Sequence, residues 1–172
     1  DAAFTCEKLL EWDDLVPTPD ARAFVGRFVE RLVALQRPSG AFPGWVEPDG
    51  AISPELAEGP ESAVSVSLLF AAAAKHPSPS HLIDHALRGA WFLEAIAKDA
   101  RWEDFETYWS CAPWGQEHQV GRRVPRNGVY KQNTLSIAWT LAAMMRAFEV
   151  TNDPRWLSVA RLLKGGGRTS QR

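Results

Sequence analysis

The sequence predicts an all-α fold built from repeated helical hairpins, and three observations predict it. Residues 62–74 and 132–145 carry no charged side chain and are apolar on all sides, the pattern of a helix buried around most of its circumference. Between and around them lie segments with a charged face and an apolar stripe, the pattern of a half-wet helix. Alternation of strand and helix signals is absent, so no βαβ unit is expected.

Each element has a local reason. Thr18-Pro19-Asp20, Ser78-Pro79-Ser80 and Asp153-Pro154-Arg155 set proline at a first helical position, where its missing N–H costs nothing. Helices are therefore expected to start near 19, 79 and 154. The first sets Phe24, Val25, Phe28, Val29 and Leu32 among Asp20, Arg22, Arg27, Glu30 and Arg31. The second runs through Leu82, Ala86, Ala90, Leu93 and Ala97, with Asp84, Arg88 and Lys98 off that stripe. The order is wet, dry, wet, dry, wet, with 62–74 and 132–145 as inner helices and the proline-started ones outside. A shift of 75 residues aligns 68–87 with 143–162, with Ala72/Ala147, Pro79/Pro154, Leu82/Leu157 and Leu87/Leu162 identical. Register of helix end, turn and helix start together marks a repeated hairpin. Residues 1–18 read as an N-terminal extension, 19–164 as the helical domain and 165–172 as a flexible tail.

Composition narrows the function classes. The chain has 172 residues, 45% hydrophobic and 23% charged, with 19 basic and 21 acidic side chains. A formal charge of −2 gives no nucleic-acid footprint, and neither uncharged run is long enough to span a bilayer. Two cysteines, Cys6 and Cys111, make no disulfide framework. His81 and His85 have ligand-compatible spacing, but no further motif supports a metal, and no cofactor is expected. Eight tryptophans are many for this length; large aromatics serve cores and binding surfaces alike.

The loops carry the candidate site. Connections after the wet helices, about 37–54 and 99–130, are long, and long loops in compact domains are usually functional. In antiparallel hairpins they gather at one end. Asp104 and Glu106 sit two apart beside Tyr108 and Trp109, and paired carboxylates beside aromatic platforms suit glycoside chemistry. They also suit helix capping or pairing with Arg122, Arg123 or Arg126. Glu55, Glu58 and Glu61 fall on one face of a helical turn, either as dipole compensation or, for Glu61, as a carboxylate facing a cavity. Gln132 and Asn133 either cap the second dry helix or bind ligand hydroxyls. Trp45, Trp114 and Tyr130 complete an aromatic rim.

The wet/dry alternation, Leu32-x3-Gln36-x3-Gly40-x-Phe42-Pro43 and the turn Thr151-Asn152-Asp153-Pro154-Arg155-Trp156-Leu157 together resemble the α/α-toroid superfamily. These are rings of inner and outer helices found in six-hairpin glycosidases, polysaccharide lyases and terpenoid cyclases. The first motif resembles the second half of the glutamine–tryptophan repeat of squalene-type cyclases, with Phe42 in place of tryptophan. Glu11-Trp12-Asp13-Asp14 is faintly similar to their acidic protonation motif. The resemblance implies a carbohydrate-active enzyme with acid/base hydrolase or lyase chemistry on a glycan or small-molecule substrate. Its catalytic candidates are Asp104, Glu106 and Glu61. A terpenoid-cyclase-like protein and a non-catalytic binding toroid are the alternatives. The chain corresponds to about half a ring, so self-association or a missing C-terminal half is expected.

Overall fold

A computed structural model describes residues 2–103, 122, 123, 125, 128–130 and 132–165. Six α-helices occur among them: α1 Ala2–Leu15, α2 Pro19–Ala34, α3 Ser62–Ala73, α4 Ser80–Asp99, α5 Thr134–Thr151 and α6 Pro154–Gly165. A 3-10 turn covers Pro54–Leu56. The described residues contain no strand, only an isolated bridge between Val46 and Ile52. The all-α expectation holds.

The helices pair as hairpins, α1 with α2, α3 with α4 and α5 with α6. Proline opens α2 and α6, and Pro79 stands at the N-cap of α4. Left-handed residues Ala100 and Asn152 end α4 and α5, a conformation that stops a helix and frees its last carbonyls for capping.

Helix α3 is the axis of the core. It packs against α1, α2, α4 and α5, and every residue from Ser62 to Ala71 is buried. Its lack of charge is thus a consequence of contact on all sides. Fully burying a side chain such as Leu68, Leu69 or Phe70 stabilises by about 1.5–3 kcal/mol each.

The second uncharged run behaves differently. Ser136, Thr140, Ala143, Met144 and Ala147 of α5 are buried, while Leu135, Leu141 and Met145 are 46%, 42% and 39% exposed. The expectation of an inner helix buried on most sides is corrected to one buried face. The exposed side and α6 form an apolar groove of about 490 Å³ lined by Ile137, Leu141, Met145 and Leu157. No described helix packs there.

Residues 1–18, expected as an extension, contain helix α1, which packs on α2 and α3 and contributes Ala3, Cys6 and Leu10 to the core. Cys6 is a free buried thiol, and burial pushes its pKa up. Buried carboxylates fix the helix positions. Asp13 on α1 accepts from the Thr18 N–H (2.7 Å) and from Arg22 Nε and Nη2 on α2 (2.9 and 2.7 Å). Glu7 on α1 accepts from Arg146 on α5 (2.7 Å). Glu94 on α4 pairs with Lys98 (2.9 Å) and with Arg155 on α6.

The segment before α3 is clamped to α4. Gln36 Nε2 donates to the carbonyls of Gly40 and His85, both at 2.9 Å. Phe42 is fully buried; its N–H donates to Ser62 Oγ (2.9 Å), whose hydroxyl donates back to the Phe42 carbonyl (3.0 Å). The Gln36–Gly40–Phe42 motif is therefore a structural tie here. Gly40 has φ +94° and a Cβ there would lie 2.3 Å from the Arg88 carbonyl oxygen.

Gly40→Ala is therefore expected to lose roughly 2–4 kcal/mol, as strain and a backbone clash act together. Urea unfolding checks this, and a loss below about 1 kcal/mol would contradict the clamp. A second expectation concerns acid. The Thr18 bond, followed by Arg22, holds the Asp13 carboxyl below its ordinary 3.8. Burial raises Glu94, but Lys98 and Arg155 outweigh it and hold it below its ordinary 4.5. Lowered folded-state values mean that the stabilisation is complete above the ordinary values and disappears as pH falls through the folded-state ones. Glu94→Gln should be less stable at neutral pH, with a Tm that declines less steeply than wild type below pH 4.5. An unchanged acid slope would refute that assignment.

Candidate functional site

The loop between α2 and α3 builds one wall of a cavity of about 580 Å³. Gly44 N–H donates to the Leu56 carbonyl (2.8 Å), and a tight turn joins Glu47 and Ala51, with Glu47 N–H to Ala51 O at 2.8 Å. These bonds hold Pro43, Gly44, Trp45 and Val46 against the cavity. Helix α2 supplies Phe28, Arg31 and Leu32 and its C-cap residue Leu35, α3 supplies Ser65, α5 supplies Trp139, and α1 supplies Ala2 and Ala3. Glu61, the residue preceding α3, completes the lining.

Two glycines make room for the Glu61 carboxylate. A Cβ on Gly59 would meet Glu61 Oε2 at 2.0 Å, and one on Gly44 would meet Oε1 at 3.0 Å. Oε2 has no solvent contact. Trp45 is 43% exposed, and its indole N–H donates to Glu47 (2.9 Å), which orients the ring at the rim. A carboxylate, a hydroxyl, a guanidinium and two indoles thus share one opening. Such a set is chemically suited to a ligand with an apolar face and polar edges.

Of the expected site residues, Trp45 and Glu61 come together here. Glu55, Glu58 and Glu61 do not share one helical face. The 3-10 turn ends at Leu56 and α3 begins at Ser62, so the intervening backbone breaks the three-residue spacing. Glu58 instead accepts from Ser39 Oγ (2.9 Å). Gln132 and Asn133 are at the base of the second long loop. Gln132 Nε2 donates to the carbonyls of Ala100 (2.9 Å) and Tyr130 (2.8 Å). Asn133 Oδ1 accepts from the N–H groups of Leu135 (2.8 Å) and Ser136 (3.4 Å), the N-cap of α5. Tyr130 is stacked under Arg123, 4.4 Å from its ring centre, and Arg123 pairs with Asp99 (3.2 Å). None of these three lines the cavity. Asp104, Glu106, Tyr108, Trp109 and Trp114 lie outside the described residues.

Trp139 and Arg31 are among the lining residues that escaped the sequence reading. Trp139 sits inside a charge-free run that signals core, and Arg31 sits on the wet side of α2. For Arg31 the signal was proximity in register: it follows Phe28 by three positions, so one helical face carries an aromatic and a guanidinium. His81 is 3.7 Å from Glu30, and His85 Nδ1 lies 2.6 Å from Gln36 Oε1. No group of three metal-binding side chains occurs among the described residues, and no described helix is long and apolar enough to cross a membrane.

The Asn133 geometry yields a direct expectation. Asn133→Ala should lose about 1 kcal/mol of stability, the usual worth of an N-cap, while leaving ligand binding at the Glu61 cavity unchanged. Thermal unfolding and a binding titration on the same variant check both halves; lost affinity with unchanged Tm would reverse the assignment.

Comparison with protein-family models, with curated proteins and with solved structures finds no match for this chain.

Proposed function

We propose that the chain is a carbohydrate-active α/α-toroid-type domain whose Glu61 cavity binds a glycan. The observation that carries this reading is the shared lining of Glu61, Trp45 and Trp139. Indole faces offer apolar platforms for sugar rings, and a carboxylate at the ring's polar edge accepts hydroxyl bonds or transfers a proton. In hydrolysis or lyase chemistry Glu61 serves as the acid or base. The opposing carboxylate of a hydrolytic pair is sought in Asp104 and Glu106.

The fold part of the proposal is an array of three hairpins, with α1, α3 and α5 as the inner row and α2, α4 and α6 as the outer row. The neighbour relations among these helices agree with that order. In this reading the uncovered side of α5 takes a further hairpin or a second copy of the chain.

A terpenoid-cyclase-like reading has one observation in its favour: most of the cavity lining is apolar, with Phe28, Leu32, Leu35 and Val46 beside a single carboxylate. The exposure of Trp45 at the rim favours a water-borne ligand over a prenyl chain, since a cyclase needs its intermediates shielded from water.

Titrating the intrinsic tryptophan fluorescence with oligosaccharides and with oligoprenyl compounds separates the two. A response to glycans is expected, lost in Trp45→Ala. Glu61→Gln should retain binding within about tenfold and lose at least about a hundredfold in turnover, as for removal of a general acid or base. A response to prenyl compounds alone would overturn the glycan reading.

A further inference from the structure

We propose that a second cavity, separate from the one lined by Glu61, binds a primary ammonium carried on an aliphatic stem, with Glu30 as its counter-ion. The cavity has a volume of about 450 Å³. It lies between the C-terminal end of α1, the middle of α2, and the end of α3 with the turn that leads to α4. The two cavities share no described lining residue, so the proposal stands apart from the glycan reading.

Gly26 opens the space. It lies inside α2, where glycine is the poorest residue after proline. Its φ is not positive, and a Cβ on it would meet nothing within 4 Å. Neither a turn nor a close approach therefore calls for glycine here; the missing side chain leaves room in the lining instead. Leu10, Val25, Val29 and Leu82 form the floor, and all four are buried. That surface suits an unbranched aliphatic stem.

Charge selects the head group. The lining holds Asp13, Asp14, Glu30, Arg22 and Lys75. Asp13 is taken by Arg22 and Asp14 by Lys75, so these four cancel in pairs. His76 adds no charge while its Nδ1 accepts the Ser78 N–H (3.0 Å). Glu30 is left over. Its nearest cationic candidate among the described residues, His81 Nε2, stands 3.7 Å away, beyond hydrogen-bond reach. One uncompensated carboxylate beside an apolar floor attracts a cation and repels an anion. Quaternary ammonium ions are held by cages of aromatic rings, and no tryptophan, tyrosine or phenylalanine is among the described lining residues. A primary ammonium, which donates hydrogen bonds to a carboxylate, matches this lining.

The test titrates pentylamine, pentanol and pentanoate into the full, isotopically labelled chain at pH 7 and follows the amide shifts of Gly26, Glu30 and Lys75 by NMR. The three probes share a stem and differ in head-group charge. Pentylamine should bind about tenfold more tightly than pentanol, in the range of one charge-assisted contact, and pentanoate should be the weakest. Glu30→Gln should bring pentylamine down to the level of pentanol. Gly26→Leu fills the space and should abolish binding of both, with a Tm no lower than wild type because leucine favours the helix. Equal affinity for pentylamine and pentanol, or a preference for pentanoate, overturns the cation selectivity. Pentylamine binding that survives in Gly26→Leu places the site elsewhere, and an amine preference that survives in Glu30→Gln removes Glu30 as counter-ion; either overturns the proposal, as does the absence of any shift with pentylamine.

Discussion

The placement of the α2–α3 loop and of the start of α3 depends on a close approach between that loop and helix α4. Gly40 adopts positive φ, and a side chain on it would strike the Arg88 carbonyl. Gly89 on α4 faces it; a Cβ there would lie 2.4 Å from Val66 Cγ2 and 3.3 Å from the Phe42 ring. With both side chains absent, Phe42 packs there fully buried. Its backbone then finds both partners in a single hydroxyl, Ser62 Oγ, as a buried peptide group requires. Ser62 is the first residue of α3, and Glu61 precedes it. The carboxylate of the cavity is therefore placed by packing on the far side of its own helix start.

The buried carboxylates supply the second constraint. Glu7, Asp13 and Glu94 are each buried, and each is engaged by an arginine from another helix. Such pairs repay little net stability, because desolvation offsets their attraction. Losing one partner is costly, however, since the other charge stays buried. The pairs thus act on orientation: Asp13 holds α1 to the start of α2, Glu94 holds α4 to the start of α6, and Glu7 links α1 with α5. Apolar contact alone leaves helices freer to slide.

Much of the fold was legible because burial leaves a mark on composition. The absence of charge from 62–74 corresponds to a helix enclosed by four neighbours. The proline-started helices begin within a residue of their expected positions. Helix α1 was illegible for a physical reason: Glu7 and Asp13 are paired inside, yet in a sequence a paired carboxylate is indistinguishable from a solvated one. The same limit hid Arg31, whose charge marked a wet face that is also a cavity wall. Trp139 was hidden in the opposite way, since a cavity and a packed core draw the same apolar residues. Glu61 and Trp45 were legible because a carboxylate bordering a dry helix and a tryptophan in a glycine-rich loop both lack an obvious structural task.

The run 132–145 shows where a pattern based on charge alone reaches its limit. Both dry helices have the same composition, yet α3 is enclosed and α5 keeps Leu135, Leu141 and Met145 in solvent. The 75-residue shift sets Leu141 opposite Val66 and Met145 opposite Phe70, and both of those are buried. Equivalent positions in two hairpins thus differ in burial because the middle hairpin has neighbours on both sides and the last described one has a neighbour on one. Hydrophobic composition records what a helix is suited to meet, whereas exposure records what it meets in this structure. An apolar face of this kind gains about 25 cal/mol for each Å² it removes from water, so the α5 side keeps an unspent driving force for packing.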